Sequence, residues 1–193
     1  MNILYVHGLG GTKNGSTSRN LKELCLKNNI NFYSFDVPFE PFKAISEIEN
    51  QIKKNNIDIV ISSSLGAFYT LNATLEIKNI KTIIINPALD VYNDILNNFG
   101  KGEKKYRGVR EDRKENYVLD DDFYHLLLIL QKQFEKKIKG KTFTNWIGYF
   151  SDNDEYFSHI NEFKKYSKNV FKISDTHHIN CENLEKIINN LII

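Results

Sequence analysis

Cysteine is scarce: Cys25 and Cys181 are the only two in a chain of 193 residues. Their separation matches no metal-ligand spacing, which argues against a zinc centre. Each lies in an expected helix or at its edge, where a small hydrophobe is more in keeping than a disulfide or a nucleophile. An excess of either charge is also missing. Lys+Arg 26 against Asp+Glu 24 leaves +2, which gives no electrostatic case for a nucleic-acid or anionic-membrane partner. Lysine-rich stretches such as residues 132–141 are expected to be solvated helix faces. No apolar run reaches spanning length and no charged leader precedes the first apolar segment, so the expectation is a cytoplasmic protein without signal peptide or membrane span. Internal repeats and low-complexity linkers are absent. A single domain over 1–193 with a sizeable core is the simplest expectation.

The phosphate-binding signatures are missing too. Asn2 to Val6 reads as a first strand, followed by His7-Gly8-Leu9-Gly10-Gly11. Glycines directly after a strand let backbone N–H groups turn toward a ligand, either as a phosphate cradle or as half of an oxyanion hole. The spacing is not G-x-G-x-x-G, and no Gly-Lys-Ser/Thr follows. The oxyanion reading is therefore favoured, with Leu9 as the donor.

What the sequence does have centres on residues 58–67, Asp-Ile-Val-Ile-Ser-Ser-Ser-Leu-Gly-Ala. Ile59, Val60 and Ile61 suit a strand buried on both faces, and a helix is expected from Leu65 onward. The intervening Ser-Ser-Ser-Leu-Gly is close to a G-x-S-x-G nucleophile elbow, a sharp turn that lifts a serine Oγ above the sheet. The small residue needed two places on is Gly66, so the register selects Ser64, and the N–H of Leu65 would face an oxyanion. One departure stands out: Ser62 occupies the first glycine position.

Around the elbow, helices are expected at 20–27, 43–54, 65–76, 120–135, 158–166 and 182–192. Strands are expected at 31–35, 80–85, 144–150 and 170–173, and Pro38 and Pro41 should make 37–41 irregular. Phe39 and Phe42 are candidates to line a cleft, though core packing is the commoner fate of such residues. His125 reads as an ordinary helix histidine. The alternation indicates an α/β three-layer sandwich, with a mostly parallel central sheet and helices on both faces. Ligands collect at the carboxyl ends of such strands, where His7, Ser64 and Asn86 should appear. The rhythm lapses at 91–114, read as part of a small insertion around residues 91–125, either a surface loop or a lid.

A serine hydroxyl needs a base and a group that orients the base. An acid follows the strand at 144–150, and a histidine follows the last strand. The order Ser, Asp, His is that of the α/β-hydrolases. The chain resembles the small α/β-hydrolase-fold esterases of the bacterial YqiA/YcfP-like family over essentially its whole length. The resemblance rests on Leu4-Tyr5-Val6-His7-Gly8, Ser63-Ser64-Leu65-Gly66, Asn86-Pro87-Ala88, Asn116-Tyr117-Val118-Leu119, Asp154-Glu155 and Thr176-His177-His178-Ile179.

That resemblance implies a serine carboxylesterase or thioesterase acting on a small, soluble acyl ester. Its triad would be Ser64, His177 and Asp154, its oxyanion hole the N–H groups of Leu9 and Leu65, and no metal or organic cofactor would be needed. Asp152 and His178 are the alternatives for acid and base, and His7 is expected to brace the glycine loop. An amidase or acyltransferase with the same triad, or a non-catalytic binding protein on the same fold, are the competing readings. The natural acyl group and the oligomeric state are not legible.

Overall fold

The structure, a computed structural model, describes residues 1–192. Six strands form one parallel sheet: β1 (Asn2–Val6), β2 (Asn31–Ser34), β3 (Ile59–Ser63), β4 (Lys81–Ile85), β7 (Trp146–Asn153) and β8 (Val170–Thr176). Their spatial order is β2-β1-β3-β4-β7-β8. The order reverses at β1, so the loops after β1 and β3 flank the same crevice at the carboxyl edge of the sheet.

The two-residue period of the strands builds the layers. Ile3, Tyr5, Ile59, Ile61, Ile83 and Ile85 face one side, covered by α1 (Ser16–Lys27) and α7 (Cys181–Ile192) through Leu21, Leu24, Leu184 and Ile188. Leu4, Val6, Val60 and Ile84 face the other side. There they meet α2 (Pro41–Lys54), α3 (Ser64–Ala73), α4 (Val91–Phe99) and α5 (Asp121–Ile138). A short α6 (Ile160–Phe163) follows β7. Among the described residues no helix is long and apolar enough to cross a membrane.

Several boundaries differ from expectation. Pro41 does not break the chain: it opens α2, with Glu40 as N-cap accepting from Phe42 and Lys43 N–H, because proline's fixed φ and missing donor suit a first helical turn. The expected lapse over 91–114 is half wrong. Residues 91–99 form α4, which buries Val91 and Ile95 at helical spacing and ends at Gly100; three asparagines of low helix propensity masked it. Helix α3 ends at Ala73, and the expected strand at 144 starts at Trp146 and runs on to Asn153. Of the two cysteines, Cys25 is buried, and burial pushes its thiol up to about 11. Cys181 is exposed at the start of α7, not a core hydrophobe.

The insertion proper is an antiparallel hairpin of β5 (Gly102–Lys105) and β6 (Asn116–Leu119), joined by residues 106–115. It is tied down. Arg107 N–H donates to Gly10 O (2.8 Å) and Glu111 N–H to the Asp36 carboxylate (2.7 Å). The buried Arg110 pairs with Asp112 at 3.1 Å and lies 4.4 Å over the Tyr106 ring. This loop therefore roofs the segments that follow β1 and β2.

Candidate active site

The elbow is a backbone device. Strand β3 ends at Ser63 and α3 begins at Ser64, whose φ of 54° lies in the left-handed region that a residue with a Cβ seldom occupies. Such a conformation persists only where its surroundings hold it. Here Gly66 slides beneath the end of β1: a Cβ on it would stand 2.3 Å from His7 O. Gly8 lies against Ser64 from the other side, where an added Cβ would come within 2.8 Å of Ser64 Cβ. Gly66→Ala should thus drive β1 and α3 apart and cost roughly 3 kcal/mol or more, read by chemical denaturation. Ser62, in place of the elbow's first glycine, is accommodated: it is fully buried and its hydroxyl reaches Ile83 O at 3.4 Å.

Of the three consecutive serines, Ser63 is engaged, its Oγ 3.0 Å from Tyr5 OH. The Ser64 hydroxyl has no hydrogen-bond partner among the described residues. Leu65 N–H lies in the first turn of α3, where no intrahelical acceptor exists. Leu9 N–H sits in the glycine loop directly after the Gly8 that abuts Ser64.

His7 holds that loop in shape. Its Nε2 accepts from Val37 N–H (3.0 Å), so Nδ1 carries the proton and donates to Gly8 O (2.9 Å). The ring bridges the loops after β1 and β2, the bracing role expected from the sequence. Burial lowers its pKa to about 4, against about 6.5 in an unfolded chain. The folded state keeps His7 neutral while the unfolded chain takes up a proton as pH falls. Its contribution to stability is complete above about pH 6.5 and is lost toward pH 4, roughly 3 kcal/mol in all. Wild type should lose stability across that window more steeply than His7→Gln, as followed by urea denaturation at a series of pH values.

At the far side of the crevice, His177 Nδ1 lies 3.0 Å from both carboxylate oxygens of Asp154. Both side chains are almost entirely buried. Asp154 is oriented by accepting from Tyr156 N–H (2.8 Å) and Phe157 N–H (3.0 Å). The Tyr156 and Phe157 rings meet the imidazole edge-on at 4.8 and 5.0 Å. With its Nδ1 proton directed to the carboxylate, the ring has its lone pair on Nε2. Asp152 points elsewhere, accepting from Asp175 N–H at 3.1 Å. His178 is also committed elsewhere: since guanidinium only donates, its Nε2 accepts from Arg107 Nη1 at 3.1 Å. Burial and the Arg107 charge push its pKa down.

Asn86, at the end of β4, clamps the histidine loop to the sheet. Its Nδ2 donates to Ser151 Oγ (2.8 Å), His177 O (3.1 Å) and Thr176 O (3.2 Å), and its Oδ1 accepts from Ser151 N–H (2.7 Å). The φ of 45° there suits asparagine better than most side chains. The Asn-Pro-Ala segment was visible in the sequence, but nothing local reveals its partners some 65 to 90 residues away. Asn86→Ala should lower stability by about 2–4 kcal/mol and reduce turnover, as measured by calorimetry beside an ester assay.

Ser64, His177 and His178 line one cleft of about 130 Å³ with Gly8, Thr12 and Arg107. Ser64 and His177 share it without a direct hydrogen bond between them. Next to it, a smaller apolar pocket of about 20 Å³ is lined by Leu9, Val37, Phe39, Leu65, Tyr69 and Tyr106. Phe39 also stacks on Phe123 at 4.5 Å, so it lines a pocket and packs the core at once. His125 is exposed on α5 and remote from both. Among the described residues no group of three or more His, Cys, Asp or Glu side chains is disposed to hold a metal ion.

A parallel sheet whose central strand ends in a strained serine at a helix N-terminus, with an Asp and a His at the ends of the next two sheet strands beyond β4, defines the α/β-hydrolase fold. The chain belongs to the uncharacterised protein family UPF0227, whose family model matches residues 2–193. No curated protein matches it in sequence. Among solved structures it is similar to a monoacylglycerol lipase from Paleococcus ferrophilus (TM-score 0.70, 13% identity, covering 99% of this chain and 93% of that one). It is likewise similar to Est1E from Butyrivibrio proteoclasticus (0.68, 14%, 99% and 86%). The mouse α/β hydrolase domain-containing protein 10 also matches (0.65, 16%, 99% and 89%).

Proposed function

We propose that this chain is a serine esterase that cleaves short, soluble acyl esters or thioesters through Ser64, His177 and Asp154. The observation that carries this reading is the buried His177–Asp154 pair, at 3.0 Å to both oxygens, on the same cleft as an unpartnered elbow serine. The lipase and esterase names of the fold neighbours are in keeping with it.

His177 Nε2 takes the Ser64 proton as Oγ attacks the acyl carbonyl. The N–H groups of Leu9 and Leu65 receive the oxyanion, each such donor contributing about 3–4 kcal/mol to lowering the barrier. Asp154 keeps the imidazole in its tautomer and stabilises the imidazolium. His177 then protonates the leaving alcohol or thiol, and a water that it deprotonates frees the acyl group from Ser64. The apolar pocket beside Leu9 and Leu65 accepts the acyl chain. Its small volume, about 20 Å³, favours short acyl chains.

Fluorophosphonate labelling tests the reading directly. Wild type should label at Ser64 and should turn over p-nitrophenyl acetate and butyrate faster than the octanoate, with anilides slower still. Absence of labelling would leave a binding protein on a hydrolase fold, and preference for anilides would make the enzyme an amidase.

A further inference from the structure

The cleft beside Ser64 has a chemical character that ester hydrolysis alone does not require. Its lining includes one guanidinium, Arg107, and a run of hydroxyls, and contains neither Asp nor Glu. Nearby cations are neutralised: Arg110 pairs with Asp112 and Lys13 with Glu111. Arg107 is not. Two of its five side-chain donors are used, on Leu9 O (2.6 Å) and His178 Nε2 (3.1 Å), and both acceptors are neutral.

Two further features point the same way. Thr12 lines this cleft and is 3% exposed, yet its hydroxyl has no partner among the described residues. A hydroxyl without a protein partner on the cleft wall can donate to a ligand acceptor. Gly15, Ser16, Thr17 and Ser18 bring the N-terminus of the twelve-residue α1 into the same lining. That first turn has no acidic residue and no side-chain cap, so its N–H groups and dipole favour a negative charge.

The side of the reaction is set by the histidine. A leaving group takes its proton from His177, so it must lie in the space His177 lines. His177 borders this cleft and not the small apolar pocket. We propose that the leaving-group portion of the substrate carries a phosphate or carboxylate, held in this cleft by Arg107 with help from Thr12 and the start of α1. This rests on the esterase reading above.

Three butyryl esters with different leaving groups test it: p-nitrophenyl butyrate, which is neutral, 5-butyryloxy-2-nitrobenzoate, which bears a carboxylate, and 4-butyryloxyphenyl phosphate. Wild type should show a higher kcat/KM on at least one anionic ester than on the neutral one. The better of the two identifies the anion. Arg107→Gln, which can still donate to Leu9 O, should reduce the anionic-to-neutral ratio about 10- to 100-fold, mainly through KM. Arg107→Lys should restore part of it, and Thr12→Val, on a different segment, should reduce it less. Equal turnover of all three esters by wild type, or a ratio that Arg107→Gln leaves unchanged, would overturn the anion site and leave the esterase standing. Failure of every ester together with absent labelling at Ser64 would remove both.

Discussion

Ser64→Ala should reduce kcat/KM on p-nitrophenyl butyrate by about 10⁴- to 10⁶-fold and abolish fluorophosphonate labelling, while the melting temperature stays within about two degrees of wild type. The two halves of this expectation have separate causes. The Oγ is the atom that would form the acyl-enzyme, so without it only binding and oxyanion stabilisation remain. For stability, the hydroxyl makes no hydrogen bond to lose, and alanine meets the same left-handed backbone at φ 54°. The substitution therefore neither relieves nor adds strain. Retained turnover would move suspicion to Ser63. Its Oγ is held by Tyr5 OH at 3.0 Å, which makes it the poorer nucleophile.

The second large effect separates the two adjacent histidines. His177→Ala and Asp154→Asn should each lower kcat by about 10⁴-fold, with KM changing little, whereas His178→Ala should cost less than about tenfold on a neutral ester. Asp154→Asn is the sharper variant because it preserves shape. An amide at that position offers a donor where Nδ1–H needs an acceptor, which turns the imidazole to the wrong tautomer. If His178→Ala were the damaging change, the base would have to be a ring whose Nε2 is occupied by Arg107 at 3.1 Å. That result would remove the proposed triad. Ser64→Ala, carrying no loss of packing, serves as the folded reference for all three.

Much of this architecture was legible in the chain. Ile59-Val60-Ile61 and Ile83-Ile84-Ile85 are short apolar runs that suit buried parallel strands, and the apolar stripes of α2 and α5 repeat at helical spacing. These are local signals, written within one element. Where local signals conflict, the sequence misleads: Pro41 reads as a breaker though it stands at a first helical turn, and α4 is hidden by its asparagines. The elbow is recognisable because its requirement for small residues at 62 and 66 is also local.

The α/β layering, the strand-to-helix turn at Ser64 and the acid and histidine doublet at later strand ends are written in the order of residues. Side-chain period and turn chemistry act over a few residues, so these features are local. It takes the packed chain to bring His177 and not His178 onto Asp154, to turn Asp152 toward Asp175, and to carry Arg107 to Leu9 from 98 residues away. Those outcomes depend on which atoms the packed sheet and the hairpin roof bring within about 3 Å, and a hydrogen bond's steep dependence on distance and angle leaves no trace in the order of residues along the chain.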